Sequence, residues 1–190
     1  MTTIHVMVDL ETLGTGPRAA IIQIGACAFE LEGNAISAAP PTFEATVSAQ
    51  SSLFAGLELD PSTLHWWRYT ASAAARLAVE TNAVPLSVAL RDFAAWFTSV
   101  KVTSDSIFLW ANGAAFDPPI LESAHRALGL TVPWNYGAVR DTRTIYHLAR
   151  DLAGWERPKR ETAHTALVDA IAQAEDVRAA YAALRERTRR

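Results

Sequence analysis

Residues 4–10 form a nearly continuous apolar run, and residues 20–30, AIIQIGACAFE, form a second with LGTGP between them. Apolar runs of this length around a turn predict consecutive strands joined as a hairpin. PTFEATVS at 41–48, after the Pro40-Pro41 break, predicts a third strand. The spacing becomes helical after Asp60-Pro61, where Leu64 and Trp67 recur on one face, with Asp60 suited to the N-cap and Pro61 to the first helical position. Residues 87–100 predict a stronger amphipathic helix, capped by Ser87 and burying Leu90, Phe93, Ala94 and Phe97. IFLWAN at 107–112 reads as a buried strand feeding the helix PPILESAHRALG, which Gly129 stops. A short fifth strand is expected around 136–141, then a helix over 143–152, a basic loop with Gly154 and Pro158, and a last helix over about 165–186. Residues 68–86, Ala-rich with Asn82 and Pro85, read as helix plus loop. Three early strands followed by alternating helices and strands predict an α/β fold, a mixed sheet flanked by helices.

Composition narrows the class. A chain of 190 residues can bury a full core, and residues 1–190 read as a single domain. Its 50% hydrophobic and 19% charged content excludes a disordered chain. No basic segment leads into a long apolar stretch and no apolar run is long enough to span a bilayer, so a soluble protein without a membrane partner is expected. Cys27 is the single cysteine, which excludes an intrachain disulfide and a Cys-rich zinc site.

The candidate chemistry lies in dispersed acids. Strand alternation places Asp9 and Glu11 of VDLET on one face, with Leu10 on the other. Two carboxylates in a dry cavity repel unless cations lie between them. Paired hard ions such as Mg²⁺, about 3.5 to 4 Å apart, would reverse that penalty and stabilise the attacking and leaving oxygens of a phosphodiester; an exposed strand terminus is the plainer reading of a lone D-x-E. Asp117 follows Phe116 at a strand-to-helix junction, where it either faces the crevice as a ligand or caps the helix beginning at Pro118. His164 and Asp169 are five positions apart, about 140° on an ideal helix. Asp169 therefore fits one turn inside the last helix with His164 at its entrance, placed as a general base or simply as a surface histidine.

In that order the motifs VDLET, NGAAFD and HTALVDA make the chain resemble the histidine-containing branch of the DEDD exonucleases. Within that branch, LDPSTLHWW at 59–67 and VRDTRTI at 139–145 resemble the phage and bacterial group allied to exodeoxyribonuclease VIII and starvation-response exoribonucleases. The resemblance implies a ribonuclease-H-like fold and release of nucleoside 5′-monophosphates from a 3′ end. It also implies Asp9, Glu11, Asp117 and Asp169 as ligands of two Mg²⁺ ions, with Mn²⁺ a substitute, and His164 as the fifth catalytic residue. The expected partner is single-stranded or 3′-overhanging nucleic acid, with a homodimer plausible from relatives and the cytoplasm of a bacterium or phage-infected cell as location. A catalytically weak nucleic-acid-binding module with the same pocket is the alternative. The chain departs from the branch at Thr165 and Val168, neither of them a ligand.

For the nucleic acid, Thr12 is a candidate hydrogen-bonding partner of the terminal nucleotide, Leu13 a wedge beside its base or a core residue, and Gly14 a point of close backbone approach. Trp66 and Trp67 cannot point the same way on a helix, so one packs inward while the other can stack on a base. Phe116 is a further candidate contact or a core anchor. The formal charge of −3 opposes such a partner until the four carboxylates are set aside, leaving 16 acidic side chains against 17 basic ones. Arg140, Arg143, Arg150, Arg157, Lys159 and Arg160 precede the last motif, and Arg185, Arg187, Arg189 and Arg190 end the chain; these clusters either meet phosphates or form a solvated face. Asp141 is expected to support Arg140 or Arg143 rather than bind metal.

Overall fold

The computed structural model describes residues 3–32, 41–101, 106–160 and 164–189, so Pro40 of the Pro40-Pro41 break lies outside it. Five strands, β1 (Thr3–Thr12), β2 (Ile21–Phe29), β3 (Thr42–Thr46), β4 (Ser106–Ala111) and β5 (Val139–Asp141), form one sheet in the order β3-β2-β1-β4-β5. The hairpin β1–β2 and the pair β2–β3 are antiparallel, whereas β1–β4 and β4–β5 are parallel, giving the expected mixed sheet.

Alternation along β1 divides the molecule into two layers. Val6, Val8 and Leu10 pack with Ile22 and Ile24 against α4 (Leu86–Lys101) and α5 (Asp117–Ala127), where Phe93, Phe97, Ile120 and Leu121 are buried. Met7 points the other way, joining Cys27, Phe29 and Trp110 beneath Ala170, Ala174 and Val177 of α7 (Ala166–Thr188). Ile145 and Tyr146 of α6 (Thr142–Ala153) close that second cluster. Since Asp9 and Glu11 share the parity of Met7, the same alternation carries both carboxylates to the α7 side.

The helices follow the predicted pattern with three differences. Residues Ala49–Phe54 form a short helix, α1, that a Ser-rich hexapeptide does not announce. The stretch after it contains α2 (Pro61–Tyr69), opened by Asp60 and Pro61 as expected, and α3 (Ala73–Ala78). α4 starts at Leu86, so Ser87 lies inside the helix and cannot cap it; the Leu86 amide donates instead to Ser51 Oγ of α1 at 2.8 Å. α5 starts at Asp117 with Phe116 in the N-cap position, one residue earlier than expected.

Candidate active site

Ligand atoms of Asp9, Glu11 and Asp169 lie within 4.8 Å of one another. They sit in a cleft of about 710 Å³ that Asn112, His164 and Gln173 help to line. Asp117 is placed beside this triple rather than on the cleft wall. It is 3% exposed and its Oδ1 accepts the Leu10 amide at 3.1 Å, so its carboxylate ties α5 to β1 instead of capping the helix through the following residues.

Three residues that the motifs do not contain bring α7 to the β1–β2 hairpin. Gly25 is the register partner of Asp9, and a Cβ there would overlap the backbone of Ala166 and Leu167. The helix can therefore approach the sheet only over a glycine. Gln23, register partner of Glu11 and 2% exposed, accepts the Ala166 amide at 2.8 Å through Oε1, satisfying an otherwise orphaned helix-start donor. Gln173, one turn beyond Asp169, donates through Nε2 to Asp9 Oδ1 at 2.8 Å. Gln23 and Gly25 look like ordinary strand residues, and Gln173 like an ordinary helix residue, until the two elements meet. A glycine interrupting an apolar strand was the one available signal.

His164 lies two residues before α7 with φ of +52°, an uncommon backbone conformation for a side-chain-bearing residue. Its ring packs edge-on against Trp66 with centroids 4.8 Å apart, and Trp66 packs edge-on against Trp67 at 5.2 Å. Trp67 is buried and donates Nε1 to the Thr12 carbonyl at 2.9 Å, which makes it a support of the β1 end. Neither indole forms the cleft wall, and Trp66 reaches the site through His164. Leu13 is buried in the core, Thr12 donates its hydroxyl to the Gly14 carbonyl at 2.7 Å, and Phe116 packs half-buried against the core. Asp141 accepts the Arg143 and Ala114 amides, both at 2.8 Å, and thus supports the second motif through backbone rather than an arginine side chain. Gly113 has φ of +115°, and the Arg143 guanidinium passes where its side chain would be, 3.2 Å from the Cβ position.

The electrostatics are those of crowded, buried carboxylates. Burial, Asp117, and then Glu11 and Asp169 push the Asp9 carboxyl well above the usual range, against the lowering effect of Gln173. Burial, with Asp169 and Asp117 nearby, raises Glu11 to about 8. Burial raises Asp117 to about 7, although the Leu10 amide and Arg143 oppose the shift. Hard oxygen donors gathered this closely, with Asp9, Glu11 and Asp117 held toward their neutral forms chiefly by burial, fit a divalent cation.

Solved structures with this arrangement of sheet and helices are nucleases of the ribonuclease-H-like DEDDh fold, and that is the fold of this chain. The nuclease domain of 3′hExo, a DEDDh family member bound to rAMP, superposes with a TM-score of 0.58 at 16% identity, covering 96% of this chain and 92% of that one. Cell-death related nuclease 4, CRN-4, gives 0.65 at 13% identity over 93% of this chain and 62% of its own. Exonuclease I from Methylocaldum szegediense gives 0.62 at 18% identity over 97% and 41%. The chain thus spans less than two thirds of the last two proteins. No curated protein matches it by sequence. The profile of the 3′-5′ exoribonuclease Rv2179c-like domain matches residues 4–181, and the chain belongs to that family. Family and fold together support nuclease activity, and among the described residues no helix is long and apolar enough to cross a membrane.

Proposed function

We propose that residues 1–190 act as one metal-dependent 3′-5′ exonuclease unit that hydrolyses the terminal phosphodiester of single-stranded or 3′-overhanging nucleic acid and releases nucleoside 5′-monophosphates. The observation that carries the proposal is the convergence of Asp9, Glu11 and Asp169 within 4.8 Å in a cleft that His164 lines. RNA is the first substrate to test, because the family is described as exoribonucleolytic.

Asp9, Glu11 and Asp169 would hold Mg²⁺, or Mn²⁺ in its place, with Asp117 contributing its second oxygen from behind. Two such cations, when bound, supply the positive charge that offsets charge developing on the attacking and leaving oxygens. Gln173 fixes the Asp9 carboxylate, and the Leu10 amide fixes that of Asp117, so neither must reorganise during turnover. His164 accepts the proton of the attacking water, its ring oriented by the edge of Trp66. Trp67, Leu13, Thr12 and Gly14 brace the end of β1 that carries Asp9 and Glu11 toward the terminal nucleotide, while Phe116 anchors the turn before Asp117.

Matched RNA and DNA single strands, labelled at the 5′ end and carrying free or blocked 3′ ends, test this with Mg²⁺ or with EDTA. Stepwise shortening from a free 3′ end, and nucleoside 5′-monophosphates by mass, are expected only with the metal. Internal cleavage indifferent to the 3′ block, or binding without hydrolysis in every metal, would overturn the proposal.

A further inference from the structure

The cleft has two unlike walls. Besides the carboxylates, the loop after α6 contributes Arg157, Pro158, Lys159 and Arg160 to the lining. Two of these cations are spoken for. Arg157 Nε lies 2.9 Å from Asp176 Oδ2 and its guanidinium stands 4.9 Å from the Tyr146 ring centre. Arg160 reaches Asp176 at 3.0 Å and Glu175 at 3.2 Å, and donates to the Ala172 carbonyl at 2.9 Å. Asp176 is only 1% exposed, so this is a buried anchor with two arginines closing on it. Lys159, between them, is exposed, lines the cleft, and has no ion-pair partner among the described residues.

The anchor sits on the helix stripe that builds the acidic wall. Asp169, Gln173 and Asp176 follow at four and then three residues along α7, a spacing that keeps them on one face. One rigid helix therefore sets the distance between a carboxylate triple and a clamped basic loop. Nucleic acid entering this cleft needs its scissile phosphate at the acids, and it must also neutralise neighbouring phosphates that the acids repel.

We propose that Lys159 is a phosphate-binding residue that grips an internucleotide phosphate next to the scissile one, and that Asp176 is its positioning residue, acting through Arg157 and Arg160. This deepens the exonuclease reading and rests on it. Arg157 and Arg160 pair with Asp176 and so hold the loop, whereas the lysine ammonium reaches the substrate.

The test uses the full chain and fluorescein-labelled single-stranded oligonucleotides in which one linkage at a time, counted from the 3′ end, is an uncharged methylphosphonate. Binding is read in EDTA and hydrolysis in Mg²⁺. In the wild type, neutralising the gripped linkage should weaken binding about fivefold. Lys159→Ala should weaken binding of the fully charged strand by a similar factor, no longer respond to that linkage, and lower the slope of log K against log salt by about one. In Mg²⁺ its defect should lie in KM more than in kcat. Asp176→Asn keeps every cation on the loop, so the salt slope should stay while the linkage discrimination shrinks; circular dichroism separates this from unfolding, and the Lys159 arm stands without it. Persistence of full linkage discrimination and of the wild-type salt slope in Lys159→Ala would overturn the inference. Absence of nucleotide release by the wild type would instead overturn the exonuclease reading, while the binding arm still reads Lys159.

Discussion

The two ends of β1 put ionisable side chains on the same face of the sheet and resolve their charge in opposite ways. Near its start, His5 is enclosed by Phe29, Phe108 and Trp110, and Trp110 Nε1 donates to its Nδ1 at 2.8 Å. Burial first, and then Arg140 stacked 4.0 Å over Phe108, lower its pKa to about 4, so the ring is neutral and its acceptor nitrogen is used. At the far end, Asp9 and Glu11 face Asp169 with Asp117 behind them, and the side chain that donates to Asp9 is the neutral Gln173. Asp176 supplies the control: a carboxylate at least as buried, ion-paired with two arginines from the same chain. Where one buried acid is met by arginines and Asp9, Glu11 and Asp169 are instead gathered within 4.8 Å of one another, the second place is the one whose chemistry suits a cation.

Breaking the acidic end should give the largest effect. Asp9→Asn keeps the shape and the Gln173 contact but removes a ligand charge, so Mg²⁺-dependent nucleotide release should fall at least about 10²-fold. The same change relieves repulsion, and the chelated protein at neutral pH should become more stable by about 1 kcal/mol. Opposite signs for activity and stability are the signature; near-normal turnover across Mg²⁺ concentrations would remove Asp9 from the ligand set. His164→Ala comes next, with a rate loss of about 10²-fold and retained Mg²⁺ binding by calorimetry. Lost metal binding with normal single-turnover chemistry at saturating Mg²⁺ would contradict the general-base role.

What sequence can show differs between the same two ends. Period-two alternation is enough to put Asp9 and Glu11 together, and Asp60-Pro61 is enough to start α2, because both are local. Gly25, Gln23 and Gln173 act only across the gap between β2 or β1 and α7, which no local pattern encodes. The α4 cap comes from Ser51, 35 residues earlier, and so a cap search within the helix finds Ser87 instead. The paired tryptophans show the boundary well: helical geometry requires them to diverge, but only the Thr12 carbonyl decides that Trp67 turns inward. Likewise Arg157 and Arg160 read as free cations until Asp176, 19 and 16 residues on respectively, is seen beneath them.

Removing metal sharpens the comparison through pH. Glu11 titrates at about 8 in the fold and Asp117 at about 7, against ordinary values of 4.5 and 3.8. Between those limits the native state holds protons that the unfolded chain has released, so stability falls as pH rises. His5 contributes no slope above its ordinary 6.5, which leaves the window from about pH 6.5 to 8 to the carboxylates. In EDTA, urea denaturation should show stability dropping across that window. Saturating Mg²⁺ should lift the alkaline side by about 2 to 3 kcal/mol at a hundredfold excess over Kd. Superimposable curves with and without Mg²⁺ would show that the crowded acids are not a cation site.

The smallest effect belongs to the His5 end and runs in the other direction. Here the folded pKa lies below the unfolded one, so between pH 6.5 and about 4 the unfolded chain takes up a proton that the fold refuses. Stability from neutral burial is complete above 6.5 and is lost as pH falls through this range. His5→Gln keeps an acceptor for Trp110 Nε1 and removes the titration, at a cost of about 1 kcal/mol near neutrality from lost ring contacts. The variant should therefore be less stable than the wild type at pH 7, and the difference should shrink or reverse toward pH 4.5 in paired urea titrations. Mg²⁺ should leave the variant's alkaline rescue in place, since nothing at His5 contributes to the acidic cleft. A constant offset between variant and wild type at every pH would mean that the ring is buried for packing alone, and that the internally completed end of β1 carries no proton-linked penalty.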